Sequence, residues 1–451
     1  MLQKEFYKTI YKIAFPVMIQ YFIISSLNFM DSFMIGRLGE EAVAGLGIAN
    51  QYFLLFNLIL MGVYSGCNVL ISQFFGKKDI KNIKKVLGIS LIIGIILAVI
   101  FTFIARIATF EIINIFNQDP MVLKLGAKYL KIVSLSYLFM AISFAFGIGS
   151  RGVRQAFLPM ICSVIALFIN VFFNYGLIFG NLGMPKLGVS GAAYATLIAR
   201  IIEMICILTL VYLKGSILKS SKEELFNFDK KFFNDVMKVT IPVVINELCW
   251  GFGMIIYSVI YGNMSTKAIA SVQICMTIQN MFLIILFGIS NAACVVIGNE
   301  IGNDDFNKAK LYAKKFIRLC VVVSVFIALC LVFSSKYILS IYDVSKEVYN
   351  STFYMLIITA LVFPIRFLNV LLIVGILRGG GDTSYALKIE LFTMWLIGVP
   401  ICFFGAFYLN LKVEEVFLMV TLEEIIKMIL SVKRYKSKKW IKNLVSDMKT
   451  A

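Results

Sequence analysis

An all-α integral membrane protein of twelve transmembrane helices is the fold class this sequence predicts, and three observations lead to it. Of 451 residues, 60% are hydrophobic and 15% charged, against roughly 45 to 50% and about 25% in soluble domains. The apolar residues come in long runs, not in the short alternations of a membrane β-barrel. The 43 Lys and Arg, set against 25 Asp and Glu for a net charge of +18, sit between those runs. That is how membrane topology signals are distributed, so the basic balance speaks for orientation and no nucleic-acid partner is expected.

Crossing a hydrocarbon core of ~30 Å takes about 20 apolar residues at ~1.5 Å each. Twelve runs meet this length, at 11–36, 43–75, 86–110, 126–150, 157–181, 188–213, 236–262, 268–301, 316–338, 347–377, 385–409 and 411–432. The second and eighth exceed a perpendicular crossing and should tilt or protrude. The first is too long for a signal-peptide core and has no small-residue cleavage site, so an uncleaved first helix is expected. An even number of crossings puts both termini on one side. With the N-terminus in the cytoplasm, the cytoplasmic segments hold 30 of the 43 Lys and Arg and the opposite loops ten, while Arg200, Arg366 and Lys427 fall inside runs. This excess predicts a multi-pass protein of the cell (inner) membrane with both termini cytoplasmic. The basic tail from Lys433 to Lys449 is expected either to rest on anionic headgroups or to be a solvated end.

The chain also repeats itself. A displacement of 226 residues lays Pro242 on Pro16, Gly262 on Gly36, Ala268 on Ala42, Ala270 on Ala44, Ile274 on Ile48, Gly288 on Gly62, Gly302 on Gly76 and Asp305 on Asp79. A displacement of 227 lays Arg378-Gly379 on Arg151-Gly152. The expected organisation is an N-lobe (1–213), a cytoplasmic linker (214–235), a C-lobe (236–432) and a basic cytoplasmic tail (433–451). Six crossings per half bring both halves in from the same side, which predicts two six-helix lobes related by a pseudo-two-fold axis along the membrane normal, with a cavity between them.

The sequence contains no histidine, which removes zinc motifs of the His-Glu-x-x-His kind, Ser-His and Cys-His nucleophiles and haem ligation by His. Its nine cysteines form no Cys-x-x-Cys pair and lie almost all in apolar runs, as small buried thiols do. Neither an enzyme nor a cofactor is expected. The chemistry that remains lies in polar groups within the runs, because an ionised side chain at the bilayer centre costs about 2.5 to 3.5 kcal/mol or more. Asp31, near the outer end of the first run and one turn after Asn28, reads as a cation or proton site rather than a packing carboxylate. Asn170 and Asn174 are four apart on the fifth run and share a face, which serves either an ion pocket or interhelical hydrogen bonding, and Thr196 of the sixth offers a hydroxyl at a compatible depth. With Asp31 they supply hard oxygens suited to Na+ or H+. Glu247 is a second intramembrane acid that Arg366 of the tenth run could neutralise, as a structural salt bridge or in a substrate role. The repeat sets Tyr21 opposite Glu247 and Tyr257 opposite Asp31, so the halves share a fold but not a chemistry. Arg200 with Glu203, and Glu423 with Lys427, stand at the helical spacings of self-neutralising pairs.

Several stretches, in this order and spacing, resemble the multidrug and toxic compound extrusion (MATE) transporters, NorM-like and DinF-like, over nearly the whole chain. They are Met30-Asp31-Ser32-Phe33-Met34-Ile35-Gly36-Arg37-Leu38-Gly39, Ser150-Arg151-Gly152, Asn170-x-x-x-Asn174, Gly188-Val189-Ser190-Gly191-Ala192-Ala193 and Leu377-Arg378-Gly379-Gly380-Gly381-Asp382-Thr383. The resemblance implies a functional monomer among membrane lipids that exports small organic, often cationic or amphiphilic compounds while H+ or Na+ runs inward. It implies that Asp31, Asn170, Asn174 and Thr196 form the N-lobe cation site and that Glu247 matches the C-lobe acid of the NorM-like branch. That branch also carries a tenth-helix acid, whereas 364–370 holds only Arg366 and Asn369. The coupling ion is therefore expected in the N-lobe, with Asn28, Arg366 and Asn369 as accessory cavity groups. The rival reading is a flippase for a lipid-linked sugar, which calls for a more cationic cavity than three intramembrane cations supply.

Overall fold

The structure, a computed structural model, describes residues 2–342, 344–446 and 448, without the side chains of 2–5, 28 and 29. It is built of helices: α1 (Leu2–Gly36), α2 (Glu40–Gly76), α3 (Ile80–Ile107), α4 (Thr109–Asn114), α5 (Pro120–Val133), α6 (Ser136–Gly152), α7 (Phe157–Phe179), α8 (Val189–Leu213), α9 (Lys222–Phe226), α10 (Lys230–Met264), α11 (Thr266–Gly302), α12 (Phe306–Leu339), α13 (Lys346–Val370), α14 (Thr383–Glu390), α15 (Val399–Phe403) and α16 (Val413–Lys436). A π-helical stretch, Leu371–Leu377, prolongs α13, and two more, Leu391–Gly398 and Phe404–Tyr408, join α14 and α15 into one rod. Among the described residues ten rods are long and apolar enough to cross a membrane, and α5 with α6, bent by 47°, make an eleventh. The run expected at 126–150 is thus a broken pair. The twelfth is α16, whose middle carries Glu423, Glu424 and Lys427 and which does not pass as apolar.

The repeat holds to the residue. The helices α2 and α11 are each 37 residues long, and both ends lie 226 apart. After them Lys78 and Asp304 both take left-handed backbone, at φ of 61° and 60°. Asp79 and Asp305 then cap α3 and α12, accepting from the N–H of Asn82 at 3.1 Å and of Lys308 at 3.0 Å. Each cap satisfies one of the N–H groups that a helix start leaves without a partner.

The chain divides into two compact units, Phe15–Thr240 and the residues through Ala14 together with Ile241 onward. The expected linker therefore belongs to the first unit. Lys84 bonds Glu224 at 2.8 Å, and Phe232 stacks on Phe74 at 6.2 Å. The Lys84 ammonium and then the Ser221 N–H hold the Glu224 carboxyl below the ordinary carboxylate range. The start of α1 belongs to the second unit, where Phe6 packs on Tyr312 and Phe316 at 5.1 and 5.2 Å. Part of the tail packs on the second unit, while Lys433, Lys436, Lys438 and Lys439 stay exposed. Trp440 is 1% exposed, the Lys442 N–H bonds the Gly380 carbonyl at 2.8 Å, and Arg434 and Lys442 both reach Asp382 at 2.6 Å.

Candidate functional site

In the first unit α7 and α8 pack back to back. A Cβ on Gly191 would stand 2.4 Å from the Leu177 carbonyl oxygen, so only glycine permits the approach. That approach sets Thr196 beside Asn170, whose Nδ2 donates to Thr196 Oγ1 at 3.3 Å. Asn174, one turn along α7, donates from Nδ2 to Asn170 Oδ1 at 2.9 Å and to Asp31 Oδ1 at 2.5 Å. The four oxygen-bearing residues picked out from the sequence therefore form one connected chain of hydrogen bonds. Asn170 and Asn174 are buried, and Asn174 Oδ1 has no hydrogen-bond partner. An acceptor without a donor, next to a carboxylate, is an arrangement that takes a cation or a proton. Tyr129 of α5, also buried, engages the Thr196 hydroxyl. Sequence reasoning missed it, since a tyrosine in an apolar run carries no signal of its own.

Deeper in the unit Arg200 pairs with Glu203 at 2.7 Å, as their spacing suggests, and Ser163 donates to the same carboxylate at 2.9 Å. These residues, with Gln20, Tyr21 and Arg151, line a cavity of about 640 Å³.

The second unit departs from expectation. Glu247 is neutralised by Arg378, 2.7 Å away, and not by Arg366. The same guanidinium bonds Asn246. The repeat explains the choice. In the first half Arg151 donates to Gln20 at 2.6 Å and also engages Tyr21, and Gln20 and Tyr21 lie 226 residues before Asn246 and Glu247. Glu247 thus occupies a position whose task in both halves is to anchor an arginine. Arg366 faces Glu424 instead, at 3.7 Å, and Asn369 donates to Glu424 Oε2 at 2.7 Å and to its carbonyl at 2.8 Å. The Asn28 side chain lies outside the described residues. Lys427 pairs with Glu423 at 2.8 Å as expected, but also with Glu390 at 3.1 Å, and the Tyr257 hydroxyl donates to Glu423 at 2.6 Å. Each of the three intramembrane cations thus has a carboxylate partner. Glu390 and Glu424 were missed because an acid near a helical ion pair looks like surface chemistry until the other helices are in place.

A helical fold written twice in one chain, with a buried acid tied to amide and hydroxyl groups in its first half, defines a multi-pass membrane protein of two homologous halves. The MatE family profile matches it once per half, over residues 16–176 and 242–404. The chain belongs to the MatE family, the bacterial multidrug and toxic compound extrusion transporters. Relatives include the uncharacterized transporter YisQ of Bacillus subtilis, 22% identical over 96% of this chain and 95% of that protein. The probable multidrug resistance protein NorM of Thermotoga maritima is 25% identical over 98% and 94%. Among solved structures, a mutant of the Vibrio cholerae MATE transporter VcmN shares the fold at a TM-score of 0.89, with 17% identity and 98% of each chain covered.

Proposed function

We propose that this protein is a secondary antiporter of the inner membrane, with both termini cytoplasmic, that exports small organic, often cationic or amphiphilic compounds by alternating access in exchange for inward H+ or Na+. The observation that carries the reading is the Asp31 carboxylate on Asn174, with Asn170 and Thr196 behind it and an acceptor oxygen of Asn174 left without a donor. Those oxygens are the groups that would hold the driving ion. Coupling requires ion and substrate to favour different conformations of the transporter. The pairing of Arg200, Arg366 and Lys427 with carboxylates argues against the flippase reading, because it leaves none of them to meet a pyrophosphate. Efflux in everted vesicles, with the pH and Na+ gradients imposed separately, tests the proposal. One of the two gradients should drive substrate uphill, and uphill movement under neither would end it.

A further inference from the structure

Five ionisable groups from three rods meet inside the second unit: Arg366 on α13, Glu390 at the end of α14, and Glu423, Glu424 and Lys427 on α16. The Tyr257 hydroxyl joins them from α10. The repeat puts this cluster across the positions of Asp31 and of the Arg200–Glu203 pair. Tyr257 lies 226 residues after Asp31, and α16 begins 224 after α8, so that Glu424 and Lys427 take the places of Arg200 and Glu203 with their signs exchanged. At the Asp31 position the first half has an acid and the second a phenol, and the second half brings Glu390, Glu423 and Glu424 from its last two rods.

The charges do not balance. Three carboxylates face two cations, and Glu390, Glu423 and Lys427 are all buried, where a surplus charge is costly. The hydrogen-bond donors are also unevenly shared. Glu423 receives Lys427 at 2.8 Å and Tyr257 at 2.6 Å, and Glu424 receives Asn369 at 2.7 Å with Arg366 nearby. Among the described residues Glu390 receives Lys427 alone, at 3.1 Å. Asn369, 1% exposed, gives its Nδ2 to Glu424 and leaves Oδ1 without a partner. The cluster is short of one positive charge, and a single proton on a carboxyl group supplies it. The other groups close by are Cys249 toward Glu390, Tyr261 and Cys402 beside Tyr257, and Cys275 toward Arg366. None of them brings a balancing cation. Among the described residues no three acidic, thiol or imidazole side chains are grouped to hold a metal ion. Gly398 also packs so closely that a Cβ there would lie 2.3 Å from Glu423 Oε2. A cavity of about 720 Å³, lined by Tyr257, Arg366, Glu423, Glu424 and Lys427, adjoins the cluster.

We propose that this cluster is a second protonation site, holding one exchangeable proton on Glu390, whose partner Lys427 lines the cavity. Uptake breaks one O–H bond of a hydronium ion as the carboxyl O–H forms, and release to water reverses it. The proposal rests on the export reading solely for what the proton would drive, and its chemistry is measured without transport. The test is the carboxylic-acid C=O band in pH-difference infrared spectra of the full-length protein in nanodiscs. An Asp31→Asn background removes the carboxyl proposed as the first-unit ion site. On that background one carboxyl's worth of band should be present and should vanish with Glu390→Gln. It should vanish also with Glu423→Gln, which restores neutrality by another route, and should double with Lys427→Met. Size-exclusion profiles identify variants that fold. A band that survives both glutamine variants, or is unchanged by Lys427→Met, overturns the proposal, as does its displacement by Na+ at fixed pH. A wild type that moves no substrate would sink the export reading and leave this measurement standing.

Discussion

Replacing Asp31 with asparagine separates the proposed ion chemistry of the first unit from its fold. Asp31 Oδ1 accepts from Asn174 Nδ2 at 2.5 Å, and an asparagine oxygen in the same place accepts the same N–H. A hydrogen bond to a charged group contributes about 1.5 to 3 kcal/mol and a neutral one about 0.5 to 1.5, so the exchange costs the fold roughly 1 kcal/mol. The driving ion loses far more. A cation 4 Å from a carboxylate gains about 4 kcal/mol at an effective dielectric near 20, and losing it lowers affinity about a thousandfold. The Asp31→Asn protein should therefore elute and melt almost as wild type does, yet build no substrate gradient in everted vesicles under either imposed gradient. A variant that accumulates substrate to the wild-type level would refute the assignment of Asp31, however well the surrounding geometry fits.

Asn174→Ala removes both the donor to Asp31 and the unpartnered oxygen beside it; the driving-ion concentration for half-maximal efflux should rise about tenfold or more, as read from initial rates across an ion series. Arg378→Gln leaves Glu247 without its 2.7 Å partner and should cost roughly 2 to 3 kcal/mol, discounted because Glu247 is partly exposed. Thermal unfolding of Arg378→Gln, Glu247→Gln and the double variant measures the coupling, and Glu247→Gln should keep ion-driven efflux. Trp440→Ala empties a buried site at the tail and should destabilise by about 3 to 5 kcal/mol; limited proteolysis should then cut at the tail first.

The N-unit site was legible because its signals are local to each helix. A charge in an apolar run demands a reason, and two asparagines four apart must share a face, so Asp31, Asn170 and Asn174 stood out before any packing was known. The second unit was not legible in the same way. Lys427 already had Glu423 one turn away, and nothing in the sequence says that Glu390, 37 residues earlier, shares the same ammonium. Glu247 was found but given the wrong partner, since Arg366 and Arg378 are both plausible by composition. The register that joins Arg151 to Gln20 contained the answer. In the tail a basic stretch carries no signal of burial, and only its contact with Asp382 and Gly380 buries Trp440.

Hydropathy, loop charge and the repeat are properties of stretches of chain, and a lipid solvent enforces them stretch by stretch, so the membrane class, the helical rods and the two halves follow from residue order alone. Which buried charge meets which is a property of distances between helices. Only packing sets those distances, and it alone decided that Glu247 anchors Arg378, that Arg366 turns to Glu424, and that three carboxylates share two cations in the second unit.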